Sequence, residues 1–455
     1  MISFLEVLER ATTGPIMSVK DYDLKVFIPA VRKVVEKYKI KFDPANPCPS
    51  DDDLADRVYQ AGIDLYAEVG TYCTDTERVI EFTREEIEQA VYECPKTVYF
   101  GEGPDRVCWS GRLPDDNTLP NCHVGSGTNT SEDVAMKMVQ AYGNIHKATT
   151  LSIPSMTTVG GLNGSLGSPM EVLAGINMMK IARDGLRRAG RPGMPIIDLH
   201  PSCASGIATI AASNPEFGAR KSDGWIVAPH AEMKINFNSL NQVAYLSSWG
   251  ANIGQEAGPI LGGYAGGPEG TAVTTLAYAF HGILVVRATY HLTYPIQMMP
   301  VCSTTPGMIF VISASSQAFA RNIKAPYYAL GYASAGAATK QYFYEAAAYL
   351  LAIQSSGIGI EDVHPNKAVG TNQALPLDSE FTCSFGHGNV GITRKKANSI
   401  IKKLQETFLD KINDPPKGRS LEQCYDLDTF KPDDELLNLY DEVIEELKGY
   451  GINFK

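Results

Sequence analysis

The sequence predicts an α/β fold: a (β/α)8 barrel of the TIM type with N-terminal and C-terminal helical elaborations. Three observations carry this. From 194 to 330, short apolar runs recur at intervals of roughly 25 to 35 residues, with helical stretches between several of them. Two of these runs, 195–199 and 225–228, end in side chains able to do chemistry, as strands do at the working mouth of a barrel. The length, 455 residues, exceeds one ordinary domain yet suits a single barrel with insertions. A doubly wound open sheet is the alternative.

Residues 1–95 read as an N-terminal helical elaboration packed on the core. Within 51–69, Leu54, Val58, Ile63 and Leu65 recur at helical spacing. Thr83-Arg84-Glu85-Glu86 is a capping box that opens a second helix. Residues 96–455 then form one catalytic unit, the barrel with its C-terminal helices. Its first strand candidates are 98–100 and 148–153, and Ser168-Pro169 starts a long helix with proline at the first position. Further strands are expected at 195–199, 225–228, 243–246, 259–261, 283–289, 299–301 and 327–330. Helices are expected at 271–280 and 308–321, and in the tail at 341–353, 393–409 and 433–449.

Composition narrows the function classes. A formal charge of −11 and a pI near 5.3 argue against a nucleic-acid footprint, which would need a basic face. Nine dispersed cysteines without a CxxC pair read as reduced thiols. No window of 18 uninterrupted apolar residues and no basic, apolar leader is seen, so no membrane span is expected and the cytoplasm is the expected location.

Asp198, His200 and Cys203 lie where the run that begins at Pro195 would end, and offer three zinc-ligand types in the open, three-ligand pattern of catalytic sites. A substrate-facing role and a hydrogen-bonded loop are the other readings. His230 and Glu232 lie at i and i+2, on one side of an extended segment. Glu256 is the best single acid or electrostatic anchor. Beyond it Gly262, Gly263, Gly266 and Gly267 surround Tyr264, where missing β-carbons let a large planar ligand approach the backbone. His291 ends the 283–289 run and can titrate near neutrality. The Gly125-Ser126-Gly127 turn lacks the spacing of a phosphate loop.

Four stretches point to a family: Tyr72-Cys73-Thr74-Asp75-Thr76, Gly190-Arg191-Pro192-Gly193-Met194, Gly262-Gly263-Tyr264-Ala265-Gly266-Gly267 and Gln423-Cys424-Tyr425-Asp426. In order and spacing they resemble the monomethylamine:corrinoid methyltransferases, and the resemblance runs along nearly the whole chain. It implies a homo-oligomeric barrel with no tightly bound cofactor of its own. It also implies a separate corrinoid protein docked at the C-terminal face of the strands, and transfer of methyl from a small C1 donor to Co(I). The family's pyrrolysine falls on Ile197, one of its glutamates on Ile226, the other on Glu256, and its glutamine near Pro326.

Without the pyrrolysine imine, an already activated donor is expected: a halomethane, or a quaternary ammonium or sulfonium compound. The apolar Ile197 and Ile226 wall inclines the reading toward a poorly hydrated, halogenated donor. Glu256 is then a charge near the leaving group or corrinoid, Asp198 and His200 receive the departing species, and His291 supports them. Ile197, Ile226, Glu232, Tyr264 and Cys203 line the substrate site, and the four glycines face the corrinoid. Two alternatives stand beside this: a zinc-dependent corrinoid methyltransferase for an alcohol or thiol, and a non-catalytic barrel that binds the corrinoid protein.

Overall fold

The computed structural model describes residues 1–125, 127–197, 204–366, 368 and 370–455. Eight parallel segments close into a barrel among them. In chain order these are β1 (His123–Val124), β2 (Thr150–Leu151), β3 (196–197), β4 (Gly224–Val227), β5 (Asn252–Ala257), β6 (Tyr290–Thr293), β7 (Tyr327–Tyr332) and β8 (Gly359–His364). Strands β4 to β8 form a continuous parallel sheet. β1 pairs with β2, single bridges join Leu151 to Ile196 and Ile197 to Gly224, and the Cys122–Ile360 bridge closes the ring. Every strand therefore has two neighbours, and no barrel edge is left to pair elsewhere.

The expected strands at 225–228 and 327–330 coincide with β4 and β7, and 195–199 contains β3. Two others do not hold. Residues 243–246 lie in the helix Phe237–Trp249, whose Val243 and Leu246 bury one face. Residues 283–286 finish the helix that begins at Pro268, so the sixth strand starts at Tyr290. That helical run, Pro268–Val286, is apolar enough to span a bilayer by length and hydropathy, but 94% of it is buried inside the fold.

The N-terminal elaboration is stitched to the barrel. Helix Asp52–Val69, capped by Asp51, packs on the helices Pro268–His281 and Pro306–Asn322. The short strand Thr71–Cys73 pairs in parallel with Lys234–Ile235, a return of the loop after β4. A hairpin, Thr97–Phe100 with Val107–Ser110, precedes β1 and places Phe100 and Trp109 in the N-terminal end of the barrel. In the tail, helix Arg394–Phe408 packs on Lys340–Ser355.

Candidate active site in the barrel lumen

The lumen is built in layers. At the bottom the Phe100 ring meets Trp109 edge-on, with centroids 5.2 Å apart, and meets Tyr290 the same way at 5.2 Å. Tyr290 lies across β4 and β5 because both have glycine beneath it. A β-carbon on Gly254 would approach its ring to 2.4 Å, and one on Gly224 would come 2.4 Å from its hydroxyl. Above this ring Ile197, Ile226, Leu292 and Leu330 pack together with Tyr328, all buried. Ile197 and Ile226, expected as a substrate wall, both face the lumen.

One side of this layer is polar. His123 on β1 is buried, its Nδ1 2.7 Å from Thr150 Oγ1 and its Nε2 2.8 Å from Ser152 Oγ. The Ser152 hydroxyl donates to the Ile197 carbonyl, so it accepts from Nε2–H, and Thr150 donates to Nδ1. Burial pushes His123 down to about 3, so the ring is neutral. Glu361 Oε1 on β8 lies 3.8 Å from Nε2.

The top layer carries acids and aromatic rings. Glu256, half-buried, is two residues beyond Gly254 on β5 and level with Leu292. Tyr294 follows β6, its N–H bonded to the Ala257 carbonyl, and its ring lies against Gly258, where a β-carbon would come within 2.2 Å. Tyr332 ends β7; its ring is 6.4 Å from Tyr294 and edge-on to His364 at 5.0 Å. Burial, then the charges of Glu256 and Glu361, push the Tyr332 phenol far up. Both carboxylates therefore lie near that phenol. Carboxylates and tyrosine rings are the groups that attract a small cation.

The other sequence-derived candidates fall in three places. Asp198, His200 and Cys203 lie outside the described residues. Glu232 and the glycine loop lie on the rim. Glu232 accepts the Tyr264 N–H, with Lys234 nearby, and burial pushes it up to about 7. Tyr264 is exposed, and Gly262 and Gly266 hold φ of 89° and 78° with open space where a β-carbon would be. Those two glycines answer a backbone requirement, not crowding. His291 is a correction. Tyr290 and Leu292 point into the lumen, so His291 between them points outward, buried against Phe319 and Tyr327. Neither of its ring nitrogens has a hydrogen-bond partner among the described residues, and burial lowers it to about 3. It cannot reach a donor in the mouth.

Among the side chains missed from sequence are His123, Tyr294, Tyr332, Glu361 and His364. Tyr332 had a signal, since it continues the inward alternation of Tyr328 and Leu330 past the expected strand end.

A family model for monomethylamine methyltransferase MtmB matches residues 2–452. The chain belongs to the MtmB family. It is thereby a methyltransferase. Relatives in that family include MtmB2 of Methanosarcina barkeri, 27% identical over 451 residues, which covers 98% of this chain and 97% of the relative. MtmB1 of Methanosarcina acetivorans is 28% identical over the same span and with the same coverage. The crystal structure of Methanosarcina barkeri MtmB superposes with a TM-score of 0.94 at 26% identity, covering 99% of this chain and 98% of that one. A hydroxylamine complex of MtmB matches equally well. The barrel closed by single bridges at β3 is thus the MtmB fold.

Proposed function

We propose that this MtmB-family chain moves a methyl group from a small cationic donor, a quaternary ammonium or sulfonium compound, to the Co(I) corrinoid of a separate corrinoid protein, and does so without pyrrolysine. The observation that carries the reading is that Glu256 and, beside His123, Glu361 both lie near the Tyr332 ring, which meets Tyr294 and His364 above an apolar floor. Ile197 and Ile226 alone favoured a neutral halogenated donor. The acids and rings above them shift the preference to a cation, which is attracted by carboxylates and by the faces of tyrosines.

The chain's own groups would act as follows. Phe100, Trp109 and the Ile197 layer exclude water from below. The Tyr294 and Tyr332 rings face the donor's methyl groups, and the carboxylates hold its charge. At 4 Å and an effective dielectric of 20, one such charge pair is worth about 4 kcal/mol. That attraction is spent on binding, because the cation loses its charge as methyl leaves, so it lowers KM more than it raises kcat. The neutral product is then held weakly and departs. The corrinoid supplies the nucleophile. The rim offers a planar macrocycle the exposed Tyr264, Met298, Met299 and Val301 to rest on.

Monomethylamine itself is a second reading, favoured by the names of the relatives at 27% identity. Against it stands Ile197, which brings no electrophile to a donor with a poor leaving group. Loss of Co(I) absorbance in the reduced corrinoid protein, followed across tetramethylammonium, sulfonium, halomethane and monomethylamine donors, separates them. Turnover with quaternary or sulfonium donors is expected. Turnover with monomethylamine or halomethanes alone would overturn the proposal.

A further inference from the structure

Behind the mouth, in the helix layer, lies a buried carboxylate that the chemistry does not use. Glu345, on helix Lys340–Ser355, is fully buried. Its Oε2 accepts from Thr304 Oγ1 at 2.6 Å and from the Ser334 N–H at 2.7 Å. Its Oε1 accepts from Ser334 Oγ at 2.8 Å, the Ala335 N–H at 3.1 Å and Gln341 Nε2 at 3.1 Å. All these donors are neutral. Both carboxyl oxygens are used as acceptors. A glutamine here would turn its NH2 against a backbone N–H in either orientation.

What the carboxylate joins is more telling than how well it is satisfied. Ser334 follows Tyr332 by two residues. Thr304 follows Ser303, whose N–H donates to the Tyr332 carbonyl at 2.7 Å and whose hydroxyl donates to the Pro295 carbonyl at 2.9 Å. Pro295 is the neighbour of Tyr294. One carboxylate thus ties together the two segments that carry the Tyr294 and Tyr332 rings, which meet edge-on. Gln405 Nε2 holds the Thr304 carbonyl from the far side at 3.0 Å, so the clamp has little play.

We propose that Glu345 is a positioning residue: from outside the lumen it sets the separation of the Tyr294 and Tyr332 rings, and so decides which cationic methyl donors the mouth accepts. This rests on the reading of the mouth as a cation site. The mutual placement of the two rings, 6.4 Å apart and edge-on, is the specificity element. The attraction of a cation to a ring falls off within about 6 Å of the ring centroid, so small displacements change affinity.

The test uses Glu345→Gln, Glu345→Asp and the milder Thr304→Val, which keeps shape and removes one donor. The probe is tetramethylammonium, with binding followed by calorimetry and ring positions by crystallography. Thr304→Val is expected to bind roughly fivefold more weakly, with the rings displaced by on the order of 0.5 Å and the melting temperature nearly unchanged. Glu345→Asp should recover part of what Glu345→Gln loses, and Thr304→Val added to Glu345→Gln should cost nothing more. Rings that stay in place in Thr304→Val, or equal losses in the Asp and Gln variants, overturn the positioning role. Failure of the wild type to bind the probe would instead remove the cation reading, and the ring positions would still judge Glu345.

Discussion

Replacing Gly254 by alanine drives a methyl group into the ring of Tyr290. The new carbon would lie 2.4 Å from both Cε2 and Cζ of that ring, where carbon–carbon contacts settle at about 3.5 to 4.0 Å. More than an ångström must be found, and the ring has no free side. Phe100 meets its edge at 5.2 Å, Trp109 lies 6.3 Å away, and Tyr328 stacks on it at 6.4 Å. Overpacking of this kind costs about 1 to 3 kcal/mol, and the enclosure puts Gly254→Ala at the upper end. The assay is urea denaturation followed by tryptophan fluorescence, with Trp109 as a reporter beside the ring. Tyr290→Leu alone should also destabilise, by leaving a cavity. The double variant should be more stable than the sum of the two losses by about 2 kcal/mol, since the methyl then fills space that the ring vacated. Gly254→Ala with wild-type stability and an unmoved Tyr290 would refute the layered reading of the lumen.

Glu232→Gln should remove a pH dependence. Burial raises this carboxyl from 4.5 to about 7, so the folded chain favours its neutral form. Below pH 4.5 it is neutral in both states; as pH rises toward about 7 the unfolded chain ionises first, and up to about 3 kcal/mol of stability is lost. Urea midpoints at about pH 5 and pH 8 should converge in the variant and differ in the wild type. Glu256→Gln should raise KM for a quaternary donor by on the order of tenfold or more, with a smaller change in kcat, read from Co(I) absorbance. Trp109→Ala should cost about 3 to 5 kcal/mol by opening the bottom of the barrel, measured as a fall in denaturation midpoint.

The strands legible in the sequence were those that are apolar on both faces. Trp225 and Val227 point at the helices while Ile226 points at the lumen, and such a run stands out. β5 and β8 did not, because they carry the site. Gln255 is spent outward, on the Tyr278 carbonyl and His281, and Asp362 is met by Ser379 Oγ and the Gly125 N–H. Polar residues satisfied by tertiary partners make a buried strand read as a loop. The error at His291 has a different origin. Ile283 to Val286 are β-branched or apolar and mimic a strand, yet they extend a helix, and the true strand begins later. With a period of two, a boundary error of this kind reverses which side chain faces the substrate. Glu256 stood out in the sequence because it is marked by the glycines after it. Ile197 and Ile226 could be placed only through the family resemblance.

The hairpin that brings Phe100 and Trp109 into the barrel has a kinetic consequence. With the lower end stoppered, a donor bound as proposed and a docked acceptor would share one doorway. A docked acceptor protein would stand over a donor already inside, so the donor must arrive first and its demethylated remnant must leave last. Steady-state kinetics should therefore be compulsory-order, with the remnant competing against the donor and not against the acceptor.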